Sequence, residues 1–300
     1  MWAILIIIAL LWLVSGLKAS LLSIIAAVVL IVILLLMLWM RALAPRMRNQ
    51  PDLTPLQNRF YAHRGYYTED QSIPENSLPG FQRAVENGFG IELDVHLTKD
   101  GRLAVLHDEN LKRMCGADVN LSELSCDELK EYRLKDTQER IPLFSDVLKV
   151  VDGKIPMVIE VKPYGGNIRT LCERLCKELE GYTGVYCVES FDPRAVYWFK
   201  KHRPALVRGQ LTMSMHRYEN IAPPLTFALS NCLTNFITRP DFIAYCVEDR
   251  KNFSFRLCKK LYAVQEASWT VRTPADAEEV LKTGGLIIFE YFDPRIQQKQ

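Results

Sequence analysis

Past Arg59 the chain alternates short apolar runs with stretches of helical spacing, and this alternation constrains its fold more than any other feature. Strand-like runs stand at residues 59–63, 90–97, 103–106, 157–162, 185–188, 206–211, 242–246, 261–264, 269–271 and 286–289. Helical spacing follows Ser77, a suitable N-cap, through Phe81, Ala84 and Val85 to a stop at Gly88, and recurs at 125–132, 144–151, 167–180, 193–201 and 274–282. Strand and helix in repeated alternation predict parallel βα units, hence an α/β fold. About 240 residues remain after Asn58, close to the roughly 250 of a single α/β barrel. Ten candidate strands exceed eight, so at least one is an extra hairpin arm or no strand at all. Lys99-Asp100-Gly101, between two such runs, reads as a hairpin-type turn.

The first forty residues stand apart from this pattern. Two apolar runs, Trp2 to Val14 and Leu21 to Met40, are separated by Ser15-Gly16, Lys18 and Ser20. The second, as a helix, is about 30 Å long and matches the hydrocarbon core of a bilayer. The first is short for a span; it forms a tight hairpin with the second or lies partly in the interface, and the hairpin is the expectation. Residues 1–42 are thus read as a membrane anchor of one or two helices. Arg41, Arg46 and Arg48 follow it at once, against a single lysine in the outer turn, and the positive-inside rule keeps that flank, with the domain that follows, cytoplasmic. Prolines at 45, 51 and 55 mark residues 43–58 as a linker.

A net charge of +2 gives no polybasic surface of the kind nucleic-acid binding requires. The eight cysteines form no CxxC pair and have no histidine at zinc-finger spacing, so they read as buried free thiols in a reducing compartment.

Chemistry-bearing residues concentrate between Ala62 and Asp108. In a barrel the C-terminal ends of the strands line one face, so His63, Glu92 with Asp94, His107, and Glu160 with Lys162 are expected to converge there. Glu92 and Asp94, two apart on a strand, share one face. With Glu160 they make an all-oxygen cluster of the kind Mg²⁺ or Ca²⁺ prefers. The alternative is a metal-free set salt-bridged by Arg64 and Lys162. Two histidines flanking one phosphorus can serve as base and acid, with Arg64 and Lys162 as partners for phosphate oxygens. His96, His202 and His216 have no comparable setting.

These residues fall in an ordered series: His63-Arg64-Gly65, Pro74-Glu75-Asn76-Ser77, Phe81 and Ala84 before Gly88, Glu92-x-Asp94-Val95, Thr98-Lys99-Asp100-Gly101 and His107-Asp108. Ile141-Pro142, Ile159-Glu160-Val161-Lys162, Ser190-Phe191 and Trp269-Thr270-Val271 continue it. The series resembles the glycerophosphodiester phosphodiesterase family, within the phospholipase-C-like phosphodiesterases, in a membrane-anchored bacterial-type form. The resemblance covers nearly all of residues 59–300 and implies a TIM (β/α)8 barrel. By it, His63 and His107 look like the general acid/base pair, and Glu92, Asp94 and Glu160 like divalent-metal ligands. Glu75 would sit in or beside the metal shell. The implied reaction cleaves a glycerophosphodiester to glycerol phosphate and an alcohol, with the substrate's neighbouring hydroxyl attacking phosphorus first. A second reading keeps the barrel and makes a lysophospholipid the substrate, cleaved on the alcohol side or cyclised. A third, non-catalytic binding module would be marked by loss of a histidine or a metal carboxylate, and all are present. The chain departs from the family pattern at Arg272, where Asn usually follows Trp-Thr-Val, and in Leu286 to Asp293, where the last strand's motif is only loosely matched. Residues 109–140 stand where the family carries a variable insertion.

Overall fold

The computed structural model describes residues 21–219 and 221–295. Nine strands are present among them: β1 (Phe60–Ala62), β2 (Gly90–Leu97), β3 (Leu103–Val105), β4 (Met157–Val161), β5 (Tyr186–Ser190), β6 (Arg208–Thr212), β7 (Phe242–Cys246), β8 (Gln265–Val271) and β9 (Leu286–Phe289). All except β3 pair in parallel, and a β1–β2 pairing joins the ends of the row, closing an eight-stranded barrel. β3 is the extra arm, antiparallel to β2 across the Lys99-Asp100-Gly101 turn.

The longer helices are α1 (Leu21–Leu43), α2 (Leu78–Asn87), α3 (Phe144–Val151), α4 (Ile168–Glu178), α5 (Pro193–His202), α6 (Pro223–Ser230), α7 (Phe253–Tyr262) and α8 (Pro274–Lys282). α2 starts where the sequence requires: Ser77 Oγ accepts from the Gly80 N–H, and Gly88 at φ 68° ends it in the left-handed region that costs glycine least. The main core lies between the outer face of the sheet and this ring of helices, with Phe81, Phe89, Phe144 and Phe199 among its fully buried side chains.

Inside the barrel the side chains form layers. The lower layer is apolar, with Tyr61, Val158, Cys187, Phe242, Ala267 and Ile288 in one cluster. One strand-repeat further along, the same inward face carries His63, Glu160, Glu189, Trp269 and Glu290, because side chains two apart share a face. Gly209 of β6 belongs to this interior packing: a Cβ there would stand 2.3 Å from the Phe242 ring.

Residues 43–58, read as a linker, are docked. Leu53 and Leu56 lie beneath the lower layer beside Tyr61, whose hydroxyl donates to the Leu56 carbonyl at 2.7 Å. Arg46 donates to the Pro204 carbonyl at 2.8 Å and pairs with Asp241 at 3.4 Å.

Two sequence expectations need correction. Residues 125–132 hold only a 3-10 turn, Glu128–Glu131, because Leu124, Leu129 and Leu134 recur every fifth residue and reach a common cluster only if the chain bends. Residues 261–264 are no strand: they close α7, with Ala263 at φ 48°, and β8 runs unbroken from Gln265. A short apolar run cannot by itself distinguish these outcomes. The run Trp2 to Val14 lies outside the described residues.

α1 has the length and composition of a membrane-crossing helix, and none of its apolar window is buried against the rest of the protein. Only its last turn engages the barrel domain, where Asn235 Nδ2 donates to the Leu43 carbonyl at 2.9 Å and the Tyr262 hydroxyl to that of Met40 at 2.7 Å.

Candidate active site

The register of the sheet sets the acidic cluster. Asp94 pairs with Glu160 across β2 and β4, and Glu160 with Glu189 across β4 and β5, so three carboxylates form a row on adjacent strands. Glu92, one repeat below Asp94, also faces inward. Carboxylate oxygens of Glu92, Asp94 and Glu160 all lie within 4.8 Å of one another, and all three residues are buried. Burial and mutual repulsion push Glu92 and Glu189 well above the usual carboxylate range and Glu160 up to about 7. Asp94 goes the other way: burial opposes its charge, but Lys162, His107 and Arg64 outweigh that and hold it well below.

Two cations reach into the cluster. Lys162 Nζ stands 3.0 Å from Glu160 and 3.3 Å from Asp94. Arg64, in the left-handed region at φ 54°, donates its backbone N–H to Glu92 at 3.0 Å, and its guanidinium pairs with Glu75 at 2.8 Å. Gly65 follows at φ 81°, and a Cβ there would press on Phe81 and on the Gly80 backbone. This tight turn is what the His-Arg-Gly sequence encodes. Asn76 fixes the second loop by donating its N–H to the Arg64 carbonyl at 2.8 Å and its side-chain amide to Asp94 at 2.8 Å.

The two histidines arrive by different routes. His63 directly follows β1. Its Nδ1 lies 2.6 Å from Glu290, just beyond β9, and its Nε2 3.8 Å from Glu92. His107 was expected at the C-terminal end of a barrel strand; instead β2 overshoots the barrel rim and β3 returns, bringing Leu106 back to the Asp94 carbonyl and His107 into the mouth. His107 Nδ1 is 2.6 Å from Asp108. Each imidazole thus has a carboxylate on Nδ1, which fixes the tautomer with Nε2 free. Burial, reinforced by Arg64, lowers His63 below the ordinary histidine range against the pull of Glu290, and burial with Lys162 brings His107 down to about 4.

Glu75 lies among cations. Its carboxylate accepts from Arg64 and also from Arg113 at 2.7 and 2.9 Å, and Arg113 reaches Asp108 as well. A continuous chain of ion pairs therefore links His107, Asp108, Arg113, Glu75 and Arg64. Arg113 belongs to the 109–140 segment, which has its own small apolar cluster and so closes one side of the mouth. His96, on the overshooting part of β2, ties that segment down through Glu109 at 3.2 Å.

His63, Arg64, Glu92, His107, Glu160 and Glu189 surround one cavity, walled by Phe191 and Trp269, whose rings meet edge to face at 5.5 Å. Sequence reasoning singled out the first five. It missed Glu189, Glu290, Asp108 as a partner of His107, and Arg113. Glu189 was legible by period two, since it follows Cys187 and is preceded on the next strand by Glu160 at the same register. Glu189 Oε2 is buried without a hydrogen-bond partner, Asp94 Oδ1 has only the ion pair with Lys162, and the donor set is all oxygen, so these residues fit a hard divalent cation.

The fold and this mouth define a TIM-barrel protein with a buried acidic cluster able to coordinate a divalent cation. The model of the glycerophosphoryl diester phosphodiesterase family matches residues 63–289. The chain is 30% identical over 233 residues to a glycerophosphodiester phosphodiesterase of Caldanaerobacter subterraneus subsp. tengcongensis, covering 74% of this chain and 89% of that one. It is 34% identical over 131 residues to a lysophospholipase D of Homo sapiens, covering 39% and 40% of the two chains. The fold is similar to that of an Oleispira antarctica phosphodiesterase solved with its product sn-glycerol-3-phosphate, with TM-score 0.66, 20% identity, and 81% and 96% of the two chains covered. The chain belongs to the glycerophosphoryl diester phosphodiesterase family and is an enzyme of that class.

Proposed function

We propose that the enzyme hydrolyses glycerophosphodiesters at a membrane surface, with His63 and His107 as its acid/base pair and a divalent cation as its cofactor. The observation that carries this reading is the symmetry of the mouth: two histidines, each with Nδ1 at 2.6 Å from a carboxylate, open onto the cavity that holds the acidic cluster. Glu92, Asp94 and Glu160 would hold Mg²⁺ or Ca²⁺, whose charge, when bound, neutralises phosphate oxygens and lowers the pKa of a nearby hydroxyl. Arg64 and Lys162 are the side chains placed to meet the remaining phosphate oxygens.

In this mechanism one imidazole accepts, at Nε2, the proton of the attacking hydroxyl. The other donates a proton to the leaving alcohol oxygen. Attack by the substrate's neighbouring hydroxyl gives a cyclic phosphate, and water then opens it with the two histidines in exchanged roles, restoring both protonation states. Glu290 and Asp108 orient the rings and stabilise whichever is protonated. Phe191 and Trp269 limit water on the far wall.

A second reading, a lysophospholipid substrate, is favoured by one feature. A groove beside Lys162 and Glu160 has Ile221, Leu225 and Leu229 along its other wall, so a polar end and an apolar end meet at the cluster. The partial similarity to a lysophospholipase D agrees with it. Mass spectrometry of the products separates the two. Glycerophosphocholine giving glycerol phosphate and choline, with loss of turnover in His63→Ala, supports the first reading; lysophosphatidylcholine as the better substrate supports the second. Turnover of neither contradicts both.

α1 would anchor the enzyme in the cell membrane, and the positive-inside rule applied to Arg41, Arg46 and Arg48 at its C-terminal flank favours a cytoplasmic barrel.

A further inference from the structure

From Ile221 to Thr238 the chain contains no charged residue, although this stretch forms outer surface between β6 and β7. One face of α6 is buried through Thr226, Leu229 and Ser230. The other is open: Ile221 and Leu225 are exposed, and Phe227 is 52% and Phe236 55% exposed. Phe253, at the start of the neighbouring α7, is 70% exposed. A soluble surface seldom leaves so many large apolar side chains together.

The direction of α1 identifies what covers them. α7 connects β7 to β8, two parallel paired strands, so it runs back from the catalytic end of the barrel to the opposite end. Trp39 stacks on Phe253 at the start of α7, ring centroids 6.1 Å apart, and Cys258 further along donates to the Leu43 carbonyl at 3.3 Å. The last turn of α1 therefore descends beside α7 in the same sense. Traced back toward Leu21, α1 parts from the barrel domain beyond Trp39, beside the start of α7. Where the apolar patch meets α1, Arg41 and Arg239 sit over the Phe236 ring at 5.9 and 5.6 Å, the pattern of basic and aromatic residues at a lipid interface.

We infer that the catalytic mouth faces the bilayer that α1 crosses, and that residues 221–238 are a second lipid-contacting surface seated in its interface. The occupant of the patch is a phospholipid bilayer. The groove beside Lys162 opens along Ile221 and Leu225, so it joins this surface to the acidic cluster and offers an acyl-bearing phosphodiester a path that never crosses water. The inference rests on reading α1 as membrane-spanning, and its test reports on that reading separately.

The full chain is reconstituted in nanodiscs of phosphatidylcholine and phosphatidylglycerol carrying a diazirine on the acyl chain. Photolysis and peptide mass spectrometry then map the carbene label. The expected result is label on peptides of α1 and of 221–238, with Phe227→Asp reducing the latter at least threefold and leaving α1 labelling unchanged. Label on α1 alone overturns the inference while preserving the anchor. Label on neither overturns both. Turnover of soluble glycerophosphocholine, measured on the same preparation, reports on the catalytic reading independently.

Discussion

Glu290 holds His63 by Nδ1 at 2.6 Å, and Arg272 holds Glu290 from the other side at 2.8 Å. The carboxylate thus sits between a cation and an imidazole that must face the cavity with its Nε2 lone pair. Burial resists ionisation of Glu290, but His63, Tyr67 and Arg272 bring it down to about 2, so it is an anion throughout the working range. Replacing it by glutamine keeps the shape and removes the charge that selects the tautomer and stabilises the imidazolium. Glu290→Gln is expected to lower kcat on glycerophosphocholine by roughly 10²-fold with KM little changed. A fall in KM-limited binding alone would contradict a positioning role.

Arg272 stands where the family usually has asparagine, and its partner Glu290 lies just past the matched span, in the loosely matched final segment. The structure pairs these two departures. Arg272→Asn alone is expected to cost activity, because it leaves Glu290 without its cationic partner, with only Tyr67 and His63 remaining. Measured as a double-mutant cycle with Glu290→Gln, the two losses should be far from additive.

His63→Ala and His107→Ala are each expected to reduce kcat by roughly 10² to 10⁴-fold. Circular dichroism should show an unchanged fold, since neither ring belongs to an apolar cluster. Full activity of either variant would remove that histidine from the mechanism.

The acidic cluster gives stability a definite dependence on pH. Glu160 has its folded pKa raised from 4.5 to about 7, and Glu92 and Glu189 are raised in the same direction. Between those limits the folded chain keeps protons that the unfolded chain gives up. Stability from these groups is therefore full below the unfolded pKa and is lost as pH rises through the folded one. The metal-free protein in chelator should show a lower Tm at about pH 8 than at about pH 5.5. Added Mg²⁺ or Ca²⁺ should shrink that difference, since a bound cation offsets the repulsion.

At the far end of the barrel, Leu56 fills the floor beneath Tyr61, Val158 and Phe242. Leu56→Ala should destabilise the protein by about 2–5 kcal/mol in denaturant unfolding. Turnover per folded molecule should stay at the wild-type level, because the floor lies a full layer below the acidic row.

Much of this was legible in the sequence, for identifiable reasons. The strand 90–97 shows its period, and the run 157–162 ends in charge, so Glu92 and Asp94 could be put on one face and Glu160 expected beside them before any contact was known. The hairpin turn at Lys99-Asp100-Gly101 was legible as well, yet its consequence was not: only the antiparallel return of β3 shows how His107 regains the mouth. Glu290 was hidden because nothing local marks a glutamate after Ile287-Ile288-Phe289 as the partner of a histidine 227 positions earlier. Arg113 was hidden for the same reason, lying in a segment whose five-residue leucine spacing matches neither helix nor strand. α7 was missed because the polar Lys251-Asn252 opening and the apolar Leu261 to Val264 end point to different elements when read separately. Its Asn252 cap, accepting from the Phe255 N–H at 3.0 Å, was the available signal.

The most direct test of the account is turnover of glycerophosphocholine by the purified full chain, assayed with Mg²⁺, with Ca²⁺ and in excess chelator. The account predicts glycerol phosphate release with at least one cation, its loss in chelator, and its recovery when that cation is restored. Undiminished turnover in chelator would contradict a metal role for Glu92, Asp94 and Glu160.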